Sequence, residues 1–120
     1  MEWKLNDDRP IWLQLAEQMT RRIITGVYPP GSKLPPVREL AAEAGVNPNT
    51  VQRALAELEG TGLLHTQRTA GRFVTEDLSV IQSAKEKLAR GRTREYLSSM
   101  AQLGYSRQQV KALLDTWEEE

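Results

Sequence analysis

The sequence predicts a mainly α-helical fold with one small β-hairpin, and three observations carry this prediction. Apolar residues recur at the spacing of amphipathic helices in several separate segments of the 120-residue chain. Glycine, proline and asparagine stand where these segments begin or end. Two short runs typical of strands follow the third helical segment directly, with a glycine in the loop between them.

The first predicted helix covers residues 11–25. Pro10 suits the first helical turn, where its missing N–H group costs nothing. Gly26 stands where a left-handed residue commonly ends a helix. One apolar stripe with i, i+4 spacing consists of Ile11, Leu15, Met19 and Ile23.

Two further helices are predicted close together, over residues 36–44 and from Pro48 to about Glu59. Gly45 ends the first of them, and Asn47 is a strong N-cap candidate for the second. Gly60 and Gly62 are expected to stop the second helix. Its inward face is expected to consist of Val51, Ala54, Leu55 and Leu58. Two short helices joined by a tight turn are typical of a helix-turn-helix.

The strand candidates are residues 63–67 and 72–75, and the loop between them contains Gly71. A hairpin directly after a helix-turn-helix is a wing. The pair Lys33 and Leu34 is expected to add a short third strand. The sequence therefore predicts an N-terminal winged helix-turn-helix domain over residues 1–75.

Residues 76–120 are predicted to form a short two-helix C-terminal segment. Gly91 is expected to bend or break the first helix, and Ser106 with Gln109 forms a capping box at the start of the second. Two amphipathic helices need a partner surface, and self-association is the simplest answer; the alternative is that they fold back onto their own winged domain. The expected dimerisation residues are Ile81, Leu88, Leu97, Met100, Val110, Leu113, Leu114 and Trp117.

Composition narrows the classes of function. The chain has no cysteine and one histidine, His65, which removes thiolate chemistry and multi-histidine metal sites. No apolar run approaches the roughly 18 residues of a membrane span, and the mixed, acidic N-terminus is unlike a signal peptide. No nucleophile–base pair or phosphate-binding loop is visible. We therefore expect a cytoplasmic protein without cofactor or metal, and not an enzyme.

The outward face of the third helix favours a DNA-binding function. Its exposed residues are expected to be Asn49, Thr50, Gln52, Arg53 and Ala56, which are short or carry amides, apart from one arginine. Amides in a major groove can pair bidentately with adenine. Net charge is zero, so this interpretation depends on where the arginines point. The alternative is an ordinary solvated helix face.

Four other side chains are candidates for the same surface. Asn47 can hydrogen-bond a phosphate, as Thr50 can, with help from the helix N-terminus. Arg38 on the second helix is expected near the same groove edge, unless it makes only weak surface pairs with Glu39 and Glu43. Arg68 and Arg72 flank the hairpin turn, and we expect both to reach phosphates or the minor groove.

Residues 10–75 resemble the winged helix-turn-helix of the GntR family of bacterial transcription regulators. The resemblance rests on the runs PPGSKLP, VRELA, VNPNTVQRAL and GRFV, in order and at the expected spacing. The NPNTV run and the short C-terminal part resemble the small YtrA-type subfamily. Three positions depart from the family pattern: Pro36 replaces a frequent serine, Gln52 a frequent arginine, and Thr69 one of two wing glycines.

The resemblance implies a homodimer that binds double-stranded DNA at an inverted-repeat operator, usually as a repressor. A small-molecule effector is a further candidate partner, whose identity and site the sequence does not specify. The resemblance also implies DNA contact by Arg38, Asn49, Thr50 and Arg53, and close approach of the backbone to the minor groove at Gly71. The expected function is a sequence-specific DNA-binding transcription regulator. The alternative is a winged helix used for protein–protein assembly without DNA.

Overall fold

A computed structural model describes residues 2–119 and confirms the mainly helical fold with one hairpin. The described chain divides into two compact units, one ending at Lys85 and the other beginning at Glu86. The elements are α1 (Ile11–Ile24), α2 (Val37–Ala44), α3 (Pro48–Gly60), β1 (Leu64–Gln67), β2 (Gly71–Val74), α4 (Leu78–Gln102) and α5 (Arg107–Asp115).

The core of the first unit lies between α1, α2, α3 and the hairpin. α3 packs against both α1 and α2, and its C-terminal half contacts β1. Because burial of apolar side chains drives folding, this core determines how α3 is rotated about its axis. The buried apolar residues are Leu15, Ala16, Met19, Ile23, Leu34, Leu40, Ala41, Val51, Ala54, Leu55, Leu58, Leu63, Leu64 and Val74.

The wing is an antiparallel pair in which Leu64 faces Val74 and Gln67 faces Gly71. Lys33 forms only an isolated bridge to Phe73, so the expected third strand is wrong and the sheet has two strands. His65 lies on β1, with its ring stacked on Phe73 at 5.9 Å between centroids.

Both predicted ends of the tight turn between α2 and α3 are confirmed. Gly45 takes a left-handed conformation with φ of 69° after α2, which a side chain would disfavour. Asn47 caps α3, and Pro48 is the first residue of the helix. The predicted end of α3 at two glycines is confirmed, because Gly60 is the last helical residue and Gly62 takes the left-handed conformation.

The expected break at Gly91 is wrong, since α4 is one helix from Leu78 to Gln102. A single interior glycine costs only about 1 kcal/mol relative to alanine, which a helix of 25 residues tolerates. Ile81 packs against the core of the first unit together with Val80 and Ala84. Ile81 therefore packs within its own chain. This is what the alternative to dimerisation predicted for the C-terminal segment, namely that it folds back onto its own winged domain.

In the second unit, the predicted capping box of Ser106 and Gln109 is confirmed at the start of α5. Val110 is buried, whereas Leu114 and Trp117 are each 57% exposed. The helix ends at Asp115, so Trp117, one of the expected dimerisation residues, lies just beyond it. No helix in residues 2–119 is both long and apolar enough to span a membrane.

Candidate nucleic-acid interface

The N-terminus of α3, where its exposed face begins, is capped by a side chain. The side-chain oxygen of Asn47 accepts a hydrogen bond from the backbone N–H of Asn49 at 2.8 Å. With the apolar residues of α3 turned inward, Asn49, Gln52 and Arg53 are exposed and Thr50 is half-buried. The structure thus places the three outermost predicted residues on one accessible helix face, as an α-helix in a major groove requires.

Arg53 is supported from outside its own helix. Its guanidinium carbon lies 4.3 Å from the ring centroid of Trp12 on α1, a cation–π contact. Arg53 is exposed and Trp12 is half-buried. A cation–π contact leaves guanidinium N–H groups available as donors, so Arg53 is held in place while it can still hydrogen-bond a ligand.

Arg72 of β2 joins the hairpin to α3. Its Nε donates to Glu59 at 2.7 Å, and its Nη2 donates to the side-chain oxygen of Gln52 at 2.9 Å. The hydroxyl of Thr66 donates to the same Glu59 oxygen at 2.6 Å. The hydrogen bonds from Thr66 and Arg72 lower the pKa of the Glu59 carboxyl below its usual value. Arg72 is therefore paired within the protein, which sequence reasoning did not anticipate.

The wing requires glycine at position 71. Gly71 has φ of 110°, and a Cβ atom there would lie 2.9 Å from Cε of Lys33. The end of the exposed Lys33 side chain therefore lies over Gly71, at the turn end of the hairpin. Sequence reasoning treated Lys33 only as a strand residue, although a cation in the PPGSKLP run could have suggested a phosphate contact.

The remaining candidate cations are exposed. Arg68 lies at the hairpin turn, and Arg38 lies in the first turn of α2. Within residues 2–119 Arg38 makes no ion pair. One of the two acids suggested as its partners, Glu43, instead accepts from the indole N–H of Trp3 at 3.0 Å and lies 3.5 Å from Arg22. Arg38 is thus an exposed cation on the helix that precedes α3.

The described residues contain no group of histidine, cysteine or carboxylate side chains that could hold a metal ion. What they do present is an exposed, capped helix, cations on α2 and α3, and a hairpin wing. This combination defines a winged helix-turn-helix protein of the DNA-binding class.

The family follows from comparison with known proteins. The model of the gntR family of bacterial regulatory proteins matches residues 12–74, and the chain belongs to this family. It is 34% identical over 119 residues to YhcF, an HTH-type transcriptional regulator of Bacillus subtilis, covering 99% of this chain and 98% of that protein. It is 38% identical over 94 residues to the HTH-type transcriptional repressor YtrA of the same species, covering 78% and 68%.

Solved structures agree with this placement. A GntR family transcriptional regulator from Listeria monocytogenes superposes with a TM-score of 0.86 at 38% identity, covering 95% of this chain and 100% of that one. The AraR DNA-binding domain in complex with operator ORX1 superposes with a TM-score of 0.58 at 28% identity, covering 62% and 96%. The chain is a GntR-family DNA-binding transcription regulator. Its named relatives are also transcription regulators, which is the class of protein that the sequence predicted.

Proposed function

We propose that this regulator is a homodimeric repressor that binds an inverted-repeat operator with α3 in the major groove. The observation that carries the proposal is the capped N-terminal half of α3, which exposes Asn49, Gln52 and Arg53 together. Residues 1–75 are assigned to DNA binding and residues 76–120 to dimerisation.

In this proposal the side chains divide between bases and phosphates. Asn49, Gln52 and Arg53 face base edges, because they project from the exposed face of α3. The residues proposed to contact phosphates surround that face of α3. They are Lys33, Arg38, Asn47, Thr50, Arg68 and the backbone at Gly71.

The second unit supports the proposed dimer. Leu103 is 72% exposed, and Leu114 and Trp117 are each 57% exposed. Fully burying a side chain of this size contributes about 1.5–3 kcal/mol, so covering these residues with a second copy would stabilise a dimer substantially. Leu88, Leu97, Met100 and Leu113 are half-buried, so each retains some surface for the same interface.

Repression and effector control are the remaining parts of the proposal. YtrA carries the description of a repressor, and an operator-bound dimer blocks transcription simply by occupying DNA. We propose that the protein works in the cytoplasm, where bacterial operators lie, and that a small-molecule effector, as yet unidentified, changes its affinity for DNA.

Selection of bound duplexes from sheared genomic DNA at near-physiological salt tests the proposal. Recovery of one inverted repeat, with half-site centres about 34 Å apart, would support a dimeric regulator. Failure of the folded, dimeric protein to recover any sequence would favour the assembly module instead.

Two arginine substitutions refine that test. Arg38→Ala and Arg53→Ala should each abolish measurable operator binding while the protein stays folded. Arg21→Ala is the matched control, because it removes one exposed cation from the end of α1. Unchanged affinity in the first two variants would contradict the assignment of α2 and α3 to DNA.

A further inference from the structure

The contact between Arg72 and Gln52 joins a wing residue to a residue on the exposed face of α3. The two are 20 positions apart in the chain, and Nη2 of Arg72 lies 2.9 Å from the side-chain oxygen of Gln52. Gln52 is itself exposed, so the rest of its amide is accessible to a ligand. The wing therefore influences how Gln52 presents its polar atoms.

The chemistry of the pair determines which end of the amide faces outward. A guanidinium has five N–H donors and no acceptor, whereas an amide has an oxygen acceptor and an NH2 donor. Only the amide oxygen of Gln52 can bond to Arg72. The NH2 group is then the end of the amide that is free to hydrogen-bond a ligand.

Arg72 is itself held in position by Glu59. Its Nε donates to Glu59 at 2.7 Å, and Thr66 donates to the same carboxylate oxygen at 2.6 Å. The Arg72 and Glu59 side chains are only 27% and 33% exposed. Because the guanidinium is planar and already bonded at Nε, its Nη2 group is directed toward Gln52 by a rigid geometry.

The charge of Arg72 is also balanced. Glu59 places a carboxylate beside the guanidinium, so the pair adds no net charge to this part of the wing. Arg72 therefore differs from Arg68, which is exposed at the hairpin turn and has no ion pair among residues 2–119. A phosphate would attract Arg68 more strongly than the already paired Arg72.

From this geometry we propose that Arg72 is a positioning residue, which makes Gln52 an amide donor that selects guanine in each half-site. The inference rests on the proposed placement of α3 in the major groove. Guanine offers two adjacent acceptors there, N7 and O6, whereas bidentate pairing with adenine also requires the amide oxygen for the N6 amino group. In Gln52 that oxygen is engaged, and the adjacent guanidinium repels an incoming amino donor.

The test is selection from a randomised double-stranded DNA library, followed by affinity measurement over a range of salt concentrations. Gln52→Ala identifies the base pair that Gln52 contacts, because preference is lost there. Wild-type protein should favour guanine over adenine at that base pair by roughly tenfold. Arg72→Met should reduce this preference to about twofold or less at the same base pair, since the amide is then free to rotate.

Arg68→Met is the matched control, because it removes the same charge from the same hairpin. It should leave the selected sequence unchanged and make the salt dependence shallower by about one phosphate contact. Arg72→Met should change the sequence preference and leave the salt dependence as in wild type. Glu59→Gln, which replaces the charged acceptor of Arg72 with a weaker neutral one, serves as a second variant if Arg72→Met lowers the melting temperature, and should weaken the guanine preference.

Three results would overturn the inference. One is an unchanged preference in both Arg72→Met and Glu59→Gln. Another is an Arg72→Met effect at a base pair other than the one that Gln52→Ala identifies. The third is a uniform loss of affinity with a shallower salt dependence, which would make Arg72 a direct phosphate contact. Absence of any selected sequence for the wild-type protein would instead refute the proposed function.

Discussion

The guanidinium carbon of Arg53 lies 4.3 Å from the ring centroid of Trp12, so α1 supports a residue of the proposed DNA-reading helix. Trp12 is half-buried and Arg53 is exposed. The ring thus limits the conformations of a long side chain that would otherwise lose considerable entropy when it binds DNA. Support of this kind preorganises the binding surface.

Trp12→Leu should weaken operator binding several-fold, because a cation–π contact at such a site contributes about 0.5–1 kcal/mol. Trp12→Phe retains a ring and should show a smaller loss. Fluorescence anisotropy with a labelled duplex of the selected sequence measures both affinities. Equal affinity in Trp12→Leu and wild type would show that the stacking has no role in DNA binding.

Asn47→Ala should lower the free energy of unfolding by about 1 kcal/mol, because it removes the side-chain cap of α3. In a domain of this size that corresponds to a fall in Tm of about 4–8 °C. Asn47→Asp keeps an oxygen acceptor and is the control in thermal denaturation followed by circular dichroism. A Tm for Asn47→Ala equal to that of the control would contradict the importance of the cap.

Two glycine-to-alanine substitutions should act in opposite directions. Gly71→Ala should destabilise the wing by about 1–3 kcal/mol, since φ is 110°, a backbone conformation that L side chains rarely adopt. Gly91→Ala should stabilise α4 by about 0.5–1 kcal/mol, because that position is helical and an added Cβ would meet no other part of the described chain within 4 Å beyond the neighbouring helical backbone. Urea denaturation measures both.

A double substitution separates the two causes at position 71. Gly71→Ala combined with Lys33→Ala removes the collision and leaves the backbone strain. It should therefore recover little of the stability lost in Gly71→Ala, relative to Lys33→Ala alone, because the end of the Lys33 side chain can move aside at small cost. Full recovery would mean that the backbone conformation at Gly71 contributes nothing.

Glu59 should make the free energy of unfolding decrease at acidic pH. Hydrogen bonds from Thr66 and Arg72 lower its pKa in the folded protein below 4.5. The unfolded chain therefore takes up the proton first as pH falls, so the stabilisation is complete above pH 4.5 and is lost as pH decreases through the folded-state pKa. Glu59→Gln should show a shallower loss of stability in this range.

Urea denaturation over a pH series, in which the free energy of unfolding is compared at each pH, measures this effect. Glu57→Gln is the control, because it removes a carboxylate from the same helix and leaves the bonds to Thr66 and Arg72 intact. Identical acid dependence in Glu59→Gln and wild type would refute the stabilising role of these hydrogen bonds.

Leu114→Glu should convert the proposed dimer to a monomer, because it places a charge in an exposed apolar group of the second unit. Light scattering should give about twice the chain mass of 13.6 kDa for wild type and the single mass for the variant. Val27→Glu changes a valine that is 41% exposed in the first unit, outside the residues assigned to dimerisation, and should leave the dimer intact. Monomeric wild-type protein at micromolar concentration would refute the dimer.

The sequence predicted most helix ends of the first unit because their causes are local. The Asn47 cap and the left-handed Gly45 depend on residues within one or two positions of each other. The expected effect of Gly91 was wrong for the opposite reason. Whether one glycine interrupts a helix depends on the combined stability of all its turns, which a local signal does not contain.

The sequence by itself determined the helix-turn-helix, the wing and the family, because periodicity, caps and short motifs are encoded in neighbouring residues. It also placed Asn49, Gln52 and Arg53 on the outward face of α3, since burial of Val51 and Leu55 determines that face. Only the tertiary structure decided what those side chains touch. Arg72 bonds to Gln52 across 20 positions, and Arg53 stacks on a ring from another helix. Such partners meet only after the core has packed the hairpin and α1 against α3. The chain contains many other polar and aromatic residues, so the chemistry of a side chain alone does not determine which of them it contacts.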